Sequence, residues 1–349
     1  MRSDSLLIVD AHLDLAYNAL RGRNVLLPAR EQTADDEGIP TVGFPDVRAG
    51  GVGLICATVF CQPDSPRASG YKTAQEAHVM AWQQMQWYQR QVEAQVFDFV
   101  RGSGNLPVSS TSPEGGQNTQ GQIAQATVKA ILLLEGADAL RTVQDVQPWF
   151  DAGLRIVGLA WKRTRYAGGT GAPGPLTADG VALVKALDAL GIIHDTSHLA
   201  EESFWQLLDL SDGPVIASHS NCRALVPTDR QLSDEMIKAL IARGGVIGMN
   251  FYDKFLLPPE EYGKRRATLA DVVRHVKHIT DLAGSANHVA LGTDMDGGLG
   301  REQIPQEITT SADLPRVADA LSAGGFSDDD VCKIMGRNWV AFFQRSLPR

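Results

Sequence analysis

Six residues able to bind a divalent cation stand at or just beyond the ends of short apolar runs. They are His12 and Asp14 in IVDAHLDLAY, Glu135 in AILLLEGADAL, His198 in IIHDTSHLA, His219 in PVIASHSNCRAL and Asp294 in VALGTDMDGG. Imidazole nitrogens and carboxylate oxygens suit zinc, and they also accept manganese or cobalt. His12 and Asp14 are two apart, so along a continuing strand they point the same way and reach one cation. Two histidines and two carboxylates satisfy one zinc ion. Three histidines with three carboxylates suit a pair, Glu135 forming the bridge. The chemistry this predicts is metal-assisted hydrolysis.

Donors so far apart in the chain meet only if the fold brings strand ends to one face. Val/Ile/Leu-rich runs recur at 6–10, 53–60, 130–134, 155–160, 192–195, 215–218, 246–250 and 289–292. They lack strict alternation, as expected of parallel strands covered on both faces. Helical patterns fall between them, including a long one over 74–96 and VQDVQPWFDAG, TADGVALVKALDALG, EESFWQLLDL, SDEMIKALIARGG and LADVVRHVKHITDLAG. Several end on glycine, and Thr177 and Ser233 stand where N-caps belong. Strand and helix alternating eight times predict a (β/α)8 TIM-like barrel, with extra helices after Gly300. A doubly wound sheet would place a glycine-rich turn after its first strand, where this chain has AHLDLAY. The stretch 102–121, rich in Gly, Ser, Pro and Asn, reads as a surface excursion, because the strand–helix rhythm resumes directly after it. The loop AGGTGAPGPLTADG has a similar composition but falls on the ligand-bearing face. Residues 1–349 are expected to form a single domain.

Composition narrows the class. With 44% hydrophobic and 21% charged residues the chain can bury a large core. Its net charge of −9 argues against nucleic-acid or anionic-membrane binding. Cys56, Cys61, Cys222 and Cys332 form neither a disulfide scaffold nor a zinc knuckle. The apolar run near the N-terminus leads straight into His12, so cleaving it as a signal peptide would remove chemistry. No stretch is long enough to span a membrane. A cytoplasmic protein is expected.

HLD near the start, LEG, DTSH, SHSNCRAL, DRQLSDEMIKALIARGGVIGMNF and GTDMDG together resemble the membrane (renal) dipeptidases, zinc-dependent members of the amidohydrolase-like barrel group. The likeness runs from VDAHLDL to GRNWVAFF. It implies two zinc ions per chain, one on His12 and Asp14, the other on His198 and His219, with Glu135 bridging. It further implies dipeptide hydrolysis by a metal-bridging hydroxide, Asp294 as the catalytic aspartate, Arg230 as the anchor for the substrate's terminal carboxylate, and a homodimer. The residue types agree with these roles. Water between two cations becomes hydroxide-like near neutral pH, and a carboxylate beside it can pass its proton to a departing amine. A guanidinium fork suits a carboxylate better than a lysine does. Tyr252 is a further expected substrate contact.

One position departs from the family. Its better-known members carry a histidine after the fourth strand that contacts the substrate carbonyl, and here Trp161 takes that place. An indole offers one N–H and no charge, which leaves Lys162, Arg163, Arg165 and Tyr166 as candidate donors. The departure motivates a second reading, a related barrel hydrolase acting on another amide, a lactam or an ester. A catalytically silent metal protein is a third, opposed by Asp294. His78, His194, His275, His278 and His288 lack matching partners, and His275 with His278 reads as part of a solvated helix face. Asp195 is expected to orient a histidine ligand, Asp296 to support the site or its turn, and Cys222 to be inert because His219 is spent on metal.

Overall fold

A computed structural model describes residues 6–66, 69–107 and 127–349; positions 108–121 of the expected loop lie outside them. Among the described residues nine strands form one parallel sheet: β1 (Ile8–Leu13), β2 (Val52–Phe60), β3 (Phe97–Phe99), β4 (Val128–Glu135), β5 (Leu154–Gly158), β6 (Ile193–Asp195), β7 (Val215–Ile216), β8 (Ile247–Met249) and β9 (Val289–Leu291). The order is β7-β6-β5-β4-β2-β1-β9-β8, and a parallel bridge between Ala217 and Ile247 joins the two ends. The eight strands on that path form the barrel, with helices between them. β3 lies off the path, against the start of β4. It was not expected, since three residues are too few to carry a pattern.

The first strand also starts and ends later than its apolar run suggested. It continues through the polar residues Asp10 and His12 to Leu13, with a register shift against β2 between Asp10 and Leu13. Polarity there reflects the chemistry at the strand's end rather than a loop.

Period-two alternation explains what points inward. Val9, Ala11, Leu54, Cys56, Ile131, Leu133, Ile156, Ile193, Ile216 and Ala290 form one cluster inside the barrel. In β4 the series Ile131, Leu133 continues to Glu135, which is thereby aimed into the barrel mouth. The opposite end is closed by Trp339, Phe342 and Phe343 of the terminal helix Asn338–Ser346. The Trp339 indole donates to the Leu291 carbonyl at 2.8 Å. Apolar faces of the outer helices pack on the other side of the strands. The Thr177 and Ser233 hydroxyls accept the Gly180 and Met236 amides at 3.0 and 3.3 Å, capping the helices they precede. No described helix is long and apolar enough to cross a membrane.

Two glycines matter directly to the site. A Cβ at Gly248 or Gly292 would overlap the Ser218 carbonyl oxygen. Their lack of a side chain lets the end of β7 lean against β8 and β9, which sets the position of His219.

Candidate metal centre

The residues at the C-terminal mouth converge from five strand ends. His12 and Asp14 leave β1, Glu135 ends β4, and His198, His219 and Asp294 follow β6, β7 and β9. Glu135 Oε1 lies 3.3 Å from both His198 Nε2 and His219 Nε2. Its other oxygen, Oε2, lies 3.6 Å from His12 Nε2. His12 Nε2 is also 3.6 Å from Asp14 Oδ2 and 3.9 Å from Asp294 Oδ1. All six side chains are buried or nearly so.

The surrounding hydrogen bonds fix these groups. Asp195 Oδ2 accepts the Ser218 hydroxyl at 2.5 Å, and that hydroxyl lies 2.7 Å from His219 Nδ1. With its own proton committed to Asp195, Ser218 accepts Nδ1–H, leaving the Nε2 lone pair of His219 facing the site. Thr170 Oγ1 sits 3.0 Å from His198 Nδ1. Asp10 accepts the Thr293 amide and hydroxyl at 2.8 and 2.5 Å, tying the end of β1 to that of β9. Asn250 donates to Asp294 Oδ2 at 2.8 Å, so Oδ1 is the oxygen turned toward His12. His198, Asp294 and Asp296 have φ of 65°, 60° and 62°, backbone strain that the site's surroundings hold in place.

Electrostatics sort the imidazoles. Burial holds His198 and His219 well below the usual histidine range, with positive charge on Arg230 and His12 adding to the effect. Both are therefore neutral, the form that ligates. Burial also disfavours the His12 imidazolium, but Glu135 and Asp14 outweigh it and hold His12 well above that range. Asp294 is pushed up to about 7, chiefly by burial, with Asp14 and Glu135 adding repulsion.

A metal fits this donor set. His198 Nε2 and His219 Nε2 are 3.1 Å apart, close to the roughly 3.3 Å separating two nitrogens on one tetrahedral zinc at bonds of about 2.0–2.1 Å. His12 Nε2 and Asp14 Oδ1 are buried with no hydrogen-bond partner among the described residues, a costly condition that a cation relieves. His12, Glu135 and His219 form one metal-competent group, and His12, Asp14 and Asp294 another.

The centre opens into a cavity of about 360 Å³ lined by, among others, Tyr17, Phe60, Trp161, Lys162, Tyr252 and Phe255. Trp161 stands edge-on to Phe60 with centroids 5.2 Å apart, and 6.1 Å from the His198 ring. The Tyr252 hydroxyl is 3.4 Å from that of Tyr262. Arg230 is almost fully buried and is not among the cavity-lining residues. Its guanidinium donates to Ser220 Oγ at 2.9 Å and to the His219 carbonyl at 2.5 Å, and it lies over the Phe255 ring. Its Nε is buried without a hydrogen-bond partner among the described residues.

Asp195 acts on a histidine through Ser218, a relay that spacing could not reveal. Asp296 accepts the Thr41 and Val42 amides, securing the segment before the second strand. The expectation of a solvated face at His275 and His278 is corrected: His275 is fully buried, and His278 pairs with Asp234 at 2.7 Å. Cys222 is buried, and its thiol is pushed well up by that burial. Sequence reasoning missed Thr170, Ser218 and Asn250, although SHS and GMNF, which hold the last two, were within its motifs.

A closed parallel barrel with clustered histidines and carboxylates at its C-terminal mouth defines a metal-dependent hydrolase. The chain belongs to the membrane dipeptidase family, peptidase family M19, whose model matches residues 3–345. It is similar to a crystal structure of a dipeptidase of that family, with 26% identity and a TM-score of 0.80 over 99% of this chain and 100% of the other. It is also similar to a Rhodobacter sphaeroides metallopeptidase liganded with a phosphinate mimic of L-Ala-D-Ala, with 25% identity and a TM-score of 0.79 over 98% and 100%. Among curated proteins, an uncharacterised protein of the pqqA 5′ region in Klebsiella pneumoniae is 36% identical over 208 residues, covering 56% of this chain and 74% of that one.

Proposed function

We propose that the protein is a dinuclear zinc dipeptidase that hydrolyses the amide bond of small dipeptides. One cation would be held by His12 and Asp14 and the other by His198 and His219, with Glu135 shared. The division of the Glu135 oxygens carries this reading: Oε2 faces His12 and Oε1 faces the other two histidines. When bound, such ions supply a water acidified enough to attack near neutral pH and a Lewis-acid hold on the scissile carbonyl.

The side chains supply the rest. Asn250 pins Asp294 Oδ2, so Oδ1 accepts the proton of the attacking water and returns it to the leaving amine nitrogen. Arg230 keeps its charge beside the His219 carbonyl and attracts the substrate's terminal carboxylate toward the Phe255 side of the cavity. Tyr252, Phe60 and Trp161 enclose the substrate and exclude water. A cavity of about 360 Å³ is in keeping with a two-residue ligand, as is the dipeptide mimic in the R. sphaeroides relative.

The second reading, a related hydrolase of another amide, lactam or ester, is favoured by Trp161 and by the position of Arg230 outside the cavity lining. A panel of L,L- and L,D-dipeptides, N-acetylated amino acids and simple lactams, offered to zinc-loaded protein, separates the two. Dipeptide cleavage that collapses in Arg230→Met supports the first reading. Turnover confined to substrates lacking a carboxylate supports the second.

A further inference from the structure

The segment after β5 brings a cation to the cavity. Lys162 lines the cavity, and its ammonium lies 5.1 Å from the Trp161 ring centroid. Among the described residues no carboxylate stands within ion-pair distance of it. Its neighbours are committed elsewhere. Arg163 donates to the Pro173 carbonyl. Arg165 donates to the Leu140 and Arg141 carbonyls at 2.8 and 2.9 Å, and the Tyr166 hydroxyl also donates to Leu140. Thr164 donates to the Leu159 carbonyl at 2.7 Å, so of the five charged or hydroxyl-bearing side chains in this stretch Lys162 is the one that lines the cavity with its ammonium available to a ligand.

Its base is firmly placed. The Thr170 amide donates to the Trp161 carbonyl at 3.1 Å, and a Cβ at Gly169 would overlap the Lys162 carbonyl. Thr170 in turn meets His198 Nδ1 at 3.0 Å, so the lysine is registered against the metal centre through a single residue. The Trp161 indole face attracts the ammonium without neutralising it. The other charged groups on the cavity wall are engaged: Glu37 lies 3.0 Å from Arg21 and from the Tyr17 hydroxyl, and Asp14, Glu135 and Asp294 face His12.

With the substrate's terminal carboxylate assigned to Arg230, a cation on the cavity wall itself calls for a second anion on the substrate. We propose that Lys162 selects dipeptides with an acidic side chain, pairing its ammonium with that carboxylate. The proposal rests on the dipeptidase reading. Lys162 is solvent-exposed, so the pair is worth a discrimination of about twofold to fivefold and not thousands.

Isosteric pairs test it: Asp-Ala against Asn-Ala and Ala-Asp against Ala-Asn, as kcat/KM ratios on zinc-loaded enzyme. Wild type should prefer the acid of one pair by about twofold to fivefold, and that pair tells which substrate residue faces Lys162. The ratio should fall to about one in Lys162→Met, mainly through KM, and below one in Lys162→Glu. An acid preference that survives Lys162→Met, or none in wild type, overturns the proposal. If none of the four peptides is turned over, the dipeptide panel decides the dipeptidase reading separately, and calorimetric titration of the same pairs still shows whether Lys162 confers the preference.

Discussion

The hydroxyl of Ser218 lies 2.7 Å from Nδ1 of its neighbour His219, and it spends its own proton on Asp195. This fixes both the tautomer and the ring plane of a histidine that the proposed function assigns to metal. Ser218→Ala should therefore lower zinc affinity by about tenfold to a hundredfold, read by chelator competition. Asp195 loses one of its donors in the same variant, at a stability cost of about 1–3 kcal/mol. An unchanged zinc affinity would show that Gly248 and Gly292, by admitting the end of β7, place His219 unaided.

Glu135 reaches both halves of the centre, one oxygen to each. Glu135→Gln keeps the shape but offers a single acceptor oxygen and an NH2 that repels a cation. Bound zinc, measured by mass spectrometry of dialysed protein, should drop from two ions to one or fewer. Retention of two ions would mean that the histidines and Asp14 suffice, and that the bridge is dispensable.

Asp294 sits at φ 60°, a conformation that asparagine adopts readily. Asp294→Asn should accordingly fold normally and keep its zinc. It should lose kcat by about a hundredfold to ten-thousandfold, the span typical of a lost proton-transfer group. A wild-type kcat in the zinc-loaded variant would assign the proton transfer to another group.

The barrel and its donors were legible because the apolar runs are long enough to read and each donor follows one of them. Even β7, two residues in length, lies within such a run. The short β3 was illegible because no pattern can be read from Phe97, Asp98 and Phe99. Supporting contacts were hidden for a different reason. Ser218 to Asp195 spans 23 positions and Asn250 to Asp294 spans 44, so neither is set by local periodicity. The buried face of the helix Leu269–Ala283 was misjudged at His275 because an imidazole counts as polar. There both ring nitrogens are used, Nδ1 accepting the Cys222 amide and Nε2 facing the Leu256 carbonyl.

That buried imidazole carries a pH signature. Burial depresses His275 to about 4, against an ordinary 6.5. Its folded pKa lies below the unfolded one, so the unfolded chain binds the extra proton first. The folded state is fully favoured above pH 6.5 and loses that advantage as pH falls toward 4. At 1.36 kcal/mol per unit, the full loss is about 3 kcal/mol. Urea unfolding at pH 7.0, 5.5 and 4.5 should show this decline in wild type. His275→Gln cannot take up the proton, so it should show a shallower slope even if it is less stable at pH 7. The buried histidines His198 and His219 contribute their own acid sensitivity to both proteins, so the difference between the two slopes is the quantity that isolates His275. Equal slopes would mean that the ring is protonated, or solvated, in the folded protein.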